Sequence, residues 1–203
     1  MNLRPIGQAL SSKKGLKMAD RGLLLSALKT YKTDYASEQG FIQEMINFIE
    51  NNPNCFERSN LSGHVNGSAW VLSPDEKKVL LTHHKKLNRW LQLGGHSDGG
   101  DNTWNVALRE ATEESGIQNI QFVMKEIFDI DIHTIPANAK KNEPEHKHYD
   151  VRFLLKAPTE KVVISDESNS LKWINATELS DMARKGEISA AMVRMTDKWL
   201  SRR

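Results

Sequence analysis

The first third of the chain has the periodicity of helices. Apolar side chains recur every three or four positions between Glu38 and Glu50, which predicts an amphipathic helix that ends before Pro53. The apolar run Leu23–Leu28 predicts a shorter helix ahead of it, and we expect both to pack on the domain. A third amphipathic pattern, Ile188–Leu200, predicts the helix that closes the chain.

From Val65 onward the pattern is that of strands. The runs Val65–Leu72 and Lys78–Thr82 flank a Ser-Pro-Asp-Glu turn sequence and predict an antiparallel hairpin. Later segments predict four more stretches of strand, an exposed loop and a helical turn with Thr177 as its cap. These are Trp90–Leu93, Gln121–Ile132 (one or two strands), Tyr149–Lys156, Lys172–Ile174, the loop 136–144 and the turn Thr177–Met182. This order of elements predicts an α/β fold, a mixed sheet with helices on both faces.

A glycine-rich stretch between these strands leads into one helix. It runs from Gly94 to Ile117 and reads GGHSDGGDNTWNVALREATEESGI. Asp101, Asn102 and Thr103 offer capping side chains near the start of the helix, and Gly116 predicts its end.

Two faces of this helix separate when residues are placed about 100° apart. Glu110, Glu113 and Glu114 share one face, where their carboxylates would repel one another unless a cation lay between them. Mg²⁺ and Mn²⁺ prefer such oxygen ligands. Val106 falls on the acidic side, which indicates packing on more than one side. The opposite face is apolar and is predicted to meet the core; it consists of Trp104, Ala107, Leu108 and Ala111.

The stretch resembles the Nudix box, in which a glycine, an acid and an Arg-Glu-apolar-x-Glu-Glu-x-Gly-apolar run follow at fixed spacing. Gly95 begins the pattern, and Asp101 stands where the family usually has glutamate. The remaining positions fit the spacing: Arg109, Glu110, Ala111, Glu113, Glu114, Gly116 and Ile117. The resemblance implies the Nudix α/β/α sandwich. We expect a Nudix hydrolase domain over residues 56–203, preceded by a basic arm and N-terminal helices over residues 1–55.

The resemblance also implies a reaction, the divalent-metal-dependent hydrolysis of a pyrophosphate bond in a nucleoside diphosphate linked to another moiety. The substrate would be a nucleotide sugar, an ADP-ribose-like compound or a nucleoside triphosphate, and the cofactor Mg²⁺ or Mn²⁺. Glu113 and Glu114 resemble metal ligands, and Glu110 resembles either a ligand or the base that activates water. Arg109 would orient Glu110, and the carbonyl of Gly94 or its neighbour would complete the metal shell.

Basic and imidazole side chains near the box are candidates for substrate binding. His96 lies inside the loop, and Lys85 and Arg89 belong to a local basic cluster before it. Downstream, His146, His148 and Asp150 alternate and should share one face of a strand. No compact set of histidine and cysteine ligands appears in the sequence, which argues against a zinc site.

Composition narrows the class of partner. A net charge of +2 predicts neither nucleic-acid binding nor membrane association, and no apolar run approaches the roughly 20 residues of a membrane helix. The single cysteine, Cys55, excludes an internal disulfide, is predicted to be a structural thiol and favours a cytoplasmic location. The expected partner is a small nucleotide substrate, and the oligomeric state is open, with a homodimer as one option.

Other functions fit the sequence less well. A nucleotide-binding or sensing module without turnover is the main alternative, but the complete acidic set argues against it. Isoprenoid isomerisation uses a cysteine in the core region, and Cys55 precedes that region. Removal of an RNA cap has only the short basic arm in its favour.

Overall fold

Eight strands and the helices between them make up the part of the chain that the computed structural model describes, residues 21–99, 102–139, 142–164 and 168–202. The helices are α1 (residues 21–30), α2 (Ala36–Asn51), α3 (Thr103–Ser115), α4 (Ala176–Arg184) and α5 (Ala190–Leu200). The strands are β1 (Gly63–Leu72), β2 (Lys78–His84), β3 (Arg89–Leu91), β4 (Leu93–His96), β5 (Gln121–Phe122), β6 (Asp129–Ile135), β7 (His146–Lys156) and β8 (Ser168–Asn175). None of the described helices is both long enough and apolar enough to cross a membrane.

The sheet is mixed, as the sequence predicted, and β1 lies at its centre. β1 pairs in antiparallel fashion with β2 at its end and with β4 along its middle. On its other side β1 pairs in parallel with β7 over its whole length. β7 in turn pairs with β5 and β6, and β2 pairs with β3 and β8. The predicted hairpin is therefore confirmed, and the strand that carries His146 and His148 lies directly beside β1.

Helices cover both faces of this sheet, which confirms the α/β class. Alternate residues of β1 point to opposite sides. Val65, Ala69 and Val71 belong to a core shared with α1, α2 and α3. Trp70 and Leu72 belong to a second core, to which α4 and α5 contribute Met182, Met192, Met195 and Trp199.

The N-terminal helices pack on the sheet, as predicted. Leu28 of α1 and Ile49 of α2 are fully buried in the first core, and Phe48 stacks on Tyr149 with 3.9 Å between ring centroids. Cys55 lies in the same core, where burial raises the pKa of its thiol to about 12. A structural thiol is consistent with both observations. The division at residue 55 remains a prediction.

Helix α3 begins and ends where the sequence indicated. The Asn102 side chain accepts a hydrogen bond from the Asn105 backbone N–H, and Gly116 adopts a left-handed conformation with φ of 69° at the C-terminal end. Val106 is fully buried. A side chain on Gly67 of β1 would lie 2.9 Å from the Val106 Cβ, so the glycine lets the helix approach the sheet closely. The helix is thus packed on more than one side.

Buried charges join the closing helix to the sheet and to α2. The Asp129 carboxylate has no exposed surface and accepts hydrogen bonds from Arg152, Arg194 and Lys198 at 2.8–2.9 Å. Lys198 also donates to Glu38 of α2, at 2.6 Å. Removing one member would leave the others charged in a medium that solvates them poorly.

Some local predictions are wrong. The segment Trp90–Leu93 does not form one strand, because β3 pairs with β2 and β4 pairs with β1, with Gln92 between them. The cap of α4 is Asn175 rather than Thr177: the Asn175 side chain accepts from the Glu178 backbone N–H. The predictions for Asp101, for the basic arm and for part of the loop 136–144 lie outside the described residues.

Candidate active site

The glycines of β4 lie against the acidic face of α3. The Gly94 backbone N–H donates to a Glu114 carboxylate oxygen at 3.1 Å. A Cβ on Gly95 would lie 2.5 Å from the Glu110 carboxyl carbon and 2.6 and 2.8 Å from its oxygens. Glycine at 95 therefore provides the space in which the Glu110 carboxylate lies.

Arg109 connects the helix to the same strand. Its Nη1 lies 2.8 Å from a Glu110 oxygen and 3.2 Å from a Glu113 oxygen, and its Nη2 donates to the His96 carbonyl at 3.0 Å. One guanidinium thus fixes two carboxylates and the end of β4, because its donors have a rigid planar arrangement. These are the contacts that an orienting role for Arg109 requires.

The three glutamates differ in their surroundings. The Glu110 side chain is 16% exposed, whereas that of Glu113 is 60% exposed and reaches into solvent. Glu114 faces the strand backbone. Mg²⁺ binds proteins through one or two carboxylates while it keeps several waters, so oxygen donors spread over one helix face fit that ion or Mn²⁺.

Histidines from three strands gather beside this strand–helix contact. His64 of β1 lies at the centre, with ring centroids 4.9 Å from His96, 5.1 Å from His146 and 4.7 Å from His148. Burial, followed by the nearby Arg58 charge, lowers the pKa of His96 to about 4. The sequence predicted that His146, His148 and Asp150 share a face, and they do. It did not predict that His64 joins them.

Asp150 continues the polar face of the sheet. Its carboxylate accepts from the Ser68 hydroxyl at 2.6 Å, from the Gln92 amide at 3.3 Å and from Arg152 at 2.7 Å. Arg152 also pairs with Asp131. Burial alone would raise the pKa of Asp131, but its hydrogen bond to His133 and the Arg152 charge outweigh burial and lower it to about 2. This polar face is therefore charged and internally paired.

The loop after β4 is held by an ion pair. Arg58 contacts both oxygens of Asp98, at 2.5 and 2.9 Å, and the two residues line a shallow surface pocket beside the loop. The pair lies at the surface, so its stabilising effect is small, but its bidentate geometry restricts the loop.

The structure separates the candidate substrate-binding residues into two groups. His96 lies in the histidine group and is bonded to Arg109 through its carbonyl. Lys85 and Arg89 are exposed near the turn between β2 and β3, and neither side chain has a hydrogen bond or ion pair to another described residue. A substrate role for all three stays a prediction.

Sequence reasoning missed His64, Ser68 and Gln92. One signal was available: His64, Asn66 and Ser68 are polar at alternate positions just before an apolar run, so they must share one face of a strand. Their neighbours across the sheet come from β7 and could not be read from local pattern.

Comparison with known proteins agrees with this geometry. The family model described as NUDIX domain matches residues 64–195. A probable DHNTP pyrophosphohydrolase of Lactococcus lactis subsp. cremoris is 27% identical over 143 residues, 70% of this chain and 83% of that protein. An asymmetrical bis(5'-nucleosyl)-tetraphosphatase of Rattus norvegicus is 28% identical over 118 residues, 56% of this chain and 74% of that protein.

A solved structure has the same fold. The crystal structure of a hydrolase of the NUDIX family from Clostridium perfringens aligns with a TM-score of 0.51 and 24% identity, over 69% of this chain and 98% of the other. Residues 64–195, which the family model matches, contain α3, β4 and the histidine group. The family model matches most of the length of this chain, and the spacing and contacts of the box agree with that match. The chain therefore belongs to the Nudix family.

Proposed function

We propose that this Nudix enzyme, a hydrolase of pyrophosphate bonds, cleaves a nucleoside diphosphate linked to another moiety, with Mg²⁺ or Mn²⁺ as cofactor. The observation that carries the proposal is the position of Glu110, which lies in the space left by Gly95 and is held by Arg109 at 2.8 Å. A carboxylate fixed in this way against a glycine backbone can take a proton from a water molecule close to a bound phosphate.

The proposed metal ligands are the carboxylates of Glu110, Glu113 and Glu114 with the Gly94 carbonyl. When bound, the ion would supply positive charge to the phosphate oxygens as negative charge develops on them. Glu110 has two roles within its reach, metal ligand and base that activates water. Arg109 places one positive charge against the carboxylates of both Glu110 and Glu113, which offsets part of the repulsion between them.

The substrate class is drawn from the relatives together with the motif. Nucleotide sugars, ADP-ribose-like compounds and nucleoside triphosphates all contain the required bond. A tetraphosphatase among the relatives favours substrates with a phosphate chain longer than two. We propose Lys85, Arg89 and His96 as contacts to that chain. A cytoplasmic location and a homodimer remain predictions of the sequence.

The test is hydrolysis of a panel of nucleoside triphosphates, dinucleoside polyphosphates, ADP-ribose, nucleotide sugars and CDP-alcohols, each with Mg²⁺ or Mn²⁺. A coupling phosphatase that acts on the monophosphate products converts each cleavage into measurable phosphate release. We expect turnover of one class, lost at least 100-fold in Glu114→Gln and in Glu110→Gln. Glu178→Gln is the matched control, because Glu178 is paired with Lys172 at the surface away from α3. Full activity in the Glu110 and Glu114 variants would refute the assignment.

The alternative is a nucleotide-binding module without turnover. It predicts a ligand-induced rise in melting temperature and no released phosphate with any member of the panel. The two functions are separated by adding the thermal measurement to the same panel.

A further inference from the structure

Three imidazoles from two neighbouring strands converge on one point outside the carboxylate site. His64 of β1 lies directly across the parallel pairing from His148 of β7, and His146 lies two residues earlier on β7. Among the described residues they form a group whose ligand atoms all lie within 4.8 Å of one another. Histidines placed this closely need a reason, because protonated rings would repel one another.

The hydrogen bond of His146 fixes which of its nitrogens is available. Its Nδ1 lies 2.9 Å from the Pro144 carbonyl oxygen, which can only accept. Nδ1 therefore carries a hydrogen, and Nε2 is the nitrogen whose lone pair a metal ion can use. A histidine that binds a metal ion usually donates its other N–H to a carbonyl or a carboxylate in this way.

His148 has the same arrangement with a side-chain amide. Its Nδ1 lies 2.9 Å from the Asn66 amide nitrogen, and this amide keeps the same shape when it is turned so that its oxygen faces the ring instead. With the oxygen toward the ring, Nδ1–H donates to an Asn66 Oδ1 that otherwise has no partner among the described residues. The His148 Nε2, also buried and without a described partner, then holds a lone pair.

His64 is the most buried of the three, at 4% exposed. Neither of its ring nitrogens has a hydrogen-bond partner of good geometry within the described part of the chain. Neutral imidazole is the form that binds metal ions.

We propose that His64, His146 and His148 bind a transition-metal ion, Zn²⁺ by ligand type and number, at a site distinct from the carboxylates of α3. Imidazole nitrogen suits Zn²⁺, whereas Mg²⁺ takes oxygen, so the two sites differ in the ion they select. Three histidines leave a fourth position of a tetrahedral ion open to water or to an anion.

The geometry requires a small closure of the ligand set. A tetrahedral ion with bonds of about 2.1 Å holds its nitrogens roughly 3.4 Å apart, somewhat closer than the 4.8 Å that bounds the present group. His146 and His148 are only partly buried and can rotate inward. Two further imidazoles adjoin the ring of His148, that of His96 at 5.1 Å and that of His133 at 5.4 Å between centroids. His96 links the site to Arg109 through its carbonyl.

The experiment measures binding of ZnCl₂ to the full chain after treatment with a chelator and its removal. Equilibrium dialysis gives the stoichiometry, and CoCl₂ gives the visible absorption bands of a four- or five-coordinate ion with nitrogen ligands. The test variants are His146→Gln and His148→Asn. The controls are His84→Asn, a histidine near the β2–β3 turn outside the group, and Glu113→Gln, which alters only the carboxylate site.

We expect one Zn²⁺ per chain, at least 30-fold weaker binding in both test variants and unchanged binding in both controls. Zn²⁺ should also raise the melting temperature of the unaltered chain but not that of His148→Asn, whose own fold is checked by circular dichroism. Weaker binding in Glu113→Gln and unchanged binding in the histidine variants would place the ion at the carboxylates and overturn the proposal. Absence of stoichiometric Zn²⁺ would overturn it as well.

Discussion

Asp129 is the carboxylate on which the largest stability effect is expected. Its carboxylate accepts four hydrogen bonds. Arg152 Nη1 and Arg194 Nη2 donate to Oδ2 at 2.9 Å, and Arg194 Nε and Lys198 Nζ donate to Oδ1 at 2.8 Å. The substitution Asp129→Asn keeps the volume but removes the charge. It also turns two amide hydrogens toward cations that need an acceptor.

The loss in the free energy of unfolding depends on which carboxylates remain beside each cation after the substitution. Breaking a buried pair by removing one partner costs about 3–5 kcal/mol, because the remaining charge stays buried. Arg152 retains Asp150, and Lys198 retains Glu38, so the value should fall near the lower end, about 3 kcal/mol. For a chain of this size that corresponds to a fall in melting temperature of roughly 6–12 °C.

The assay is urea unfolding at pH 7, followed by circular dichroism and tryptophan fluorescence. An unchanged slope with denaturant would show that the native state is equally compact and that the midpoint reports stability. Asp181→Asn is the control, since Asp181 pairs with Arg184 on an exposed surface of α4, and it should cost less than about 0.5 kcal/mol. A loss below about 1 kcal/mol in Asp129→Asn would refute the reasoning.

Three further predictions concern single residues. Gly95→Ala should lower turnover at least 10-fold with little change in melting temperature, because the new methyl group meets the flexible end of the Glu110 side chain rather than backbone. Steady-state kinetics and a thermal melt check this, and normal turnover would contradict it. Cys55 should resist thiol reagents in the native chain and react fully in urea, because the thiolate is the reactive form and burial raises the pKa of this thiol. Rapid labelling of Cys55 in the native chain would contradict this prediction. The pKa of Asp131 is depressed to about 2 from 3.8, so its contribution to stability is present above pH 4 and is lost as the pH falls toward 2. The free energy of unfolding, measured from pH 6 to pH 2, should therefore fall less steeply in Asp131→Asn than in the unaltered chain. Parallel curves would contradict the assignment.

Local pattern was enough for the elements that carry the box. The cap at Asn102 and the left-handed Gly116 are determined by residues within one turn of the helix, so the limits of α3 could be predicted closely. The apolar face of that helix and the hairpin of β1 and β2 were predicted for the same reason. Only short-range periodicity and turn chemistry were needed.

Features that depend on strand order could not be predicted. The parallel pairing of β1 with β7 joins residues 84 positions apart, and it alone brings His64 to His148. The sequence has no compact pattern of histidine and cysteine ligands, and only the fold brings three histidines from separated strands within 4.8 Å of one another. In the same way nothing near Asp129 indicates that Arg194 and Lys198 will approach it from the last helix.

The charge network around Asp129 includes residues on both sides of the range that the family model matches. The family match spans residues 64–195, yet Glu38 lies before it and Lys198 after it, and the two side chains are 2.6 Å apart. A fragment cut to the matched limits would lose both, and it would expose the apolar surface now covered by α1 and α2. We therefore expect such a fragment to be less stable than the full chain, because the N-terminal helices and the last turn of α5 contact each other through this network.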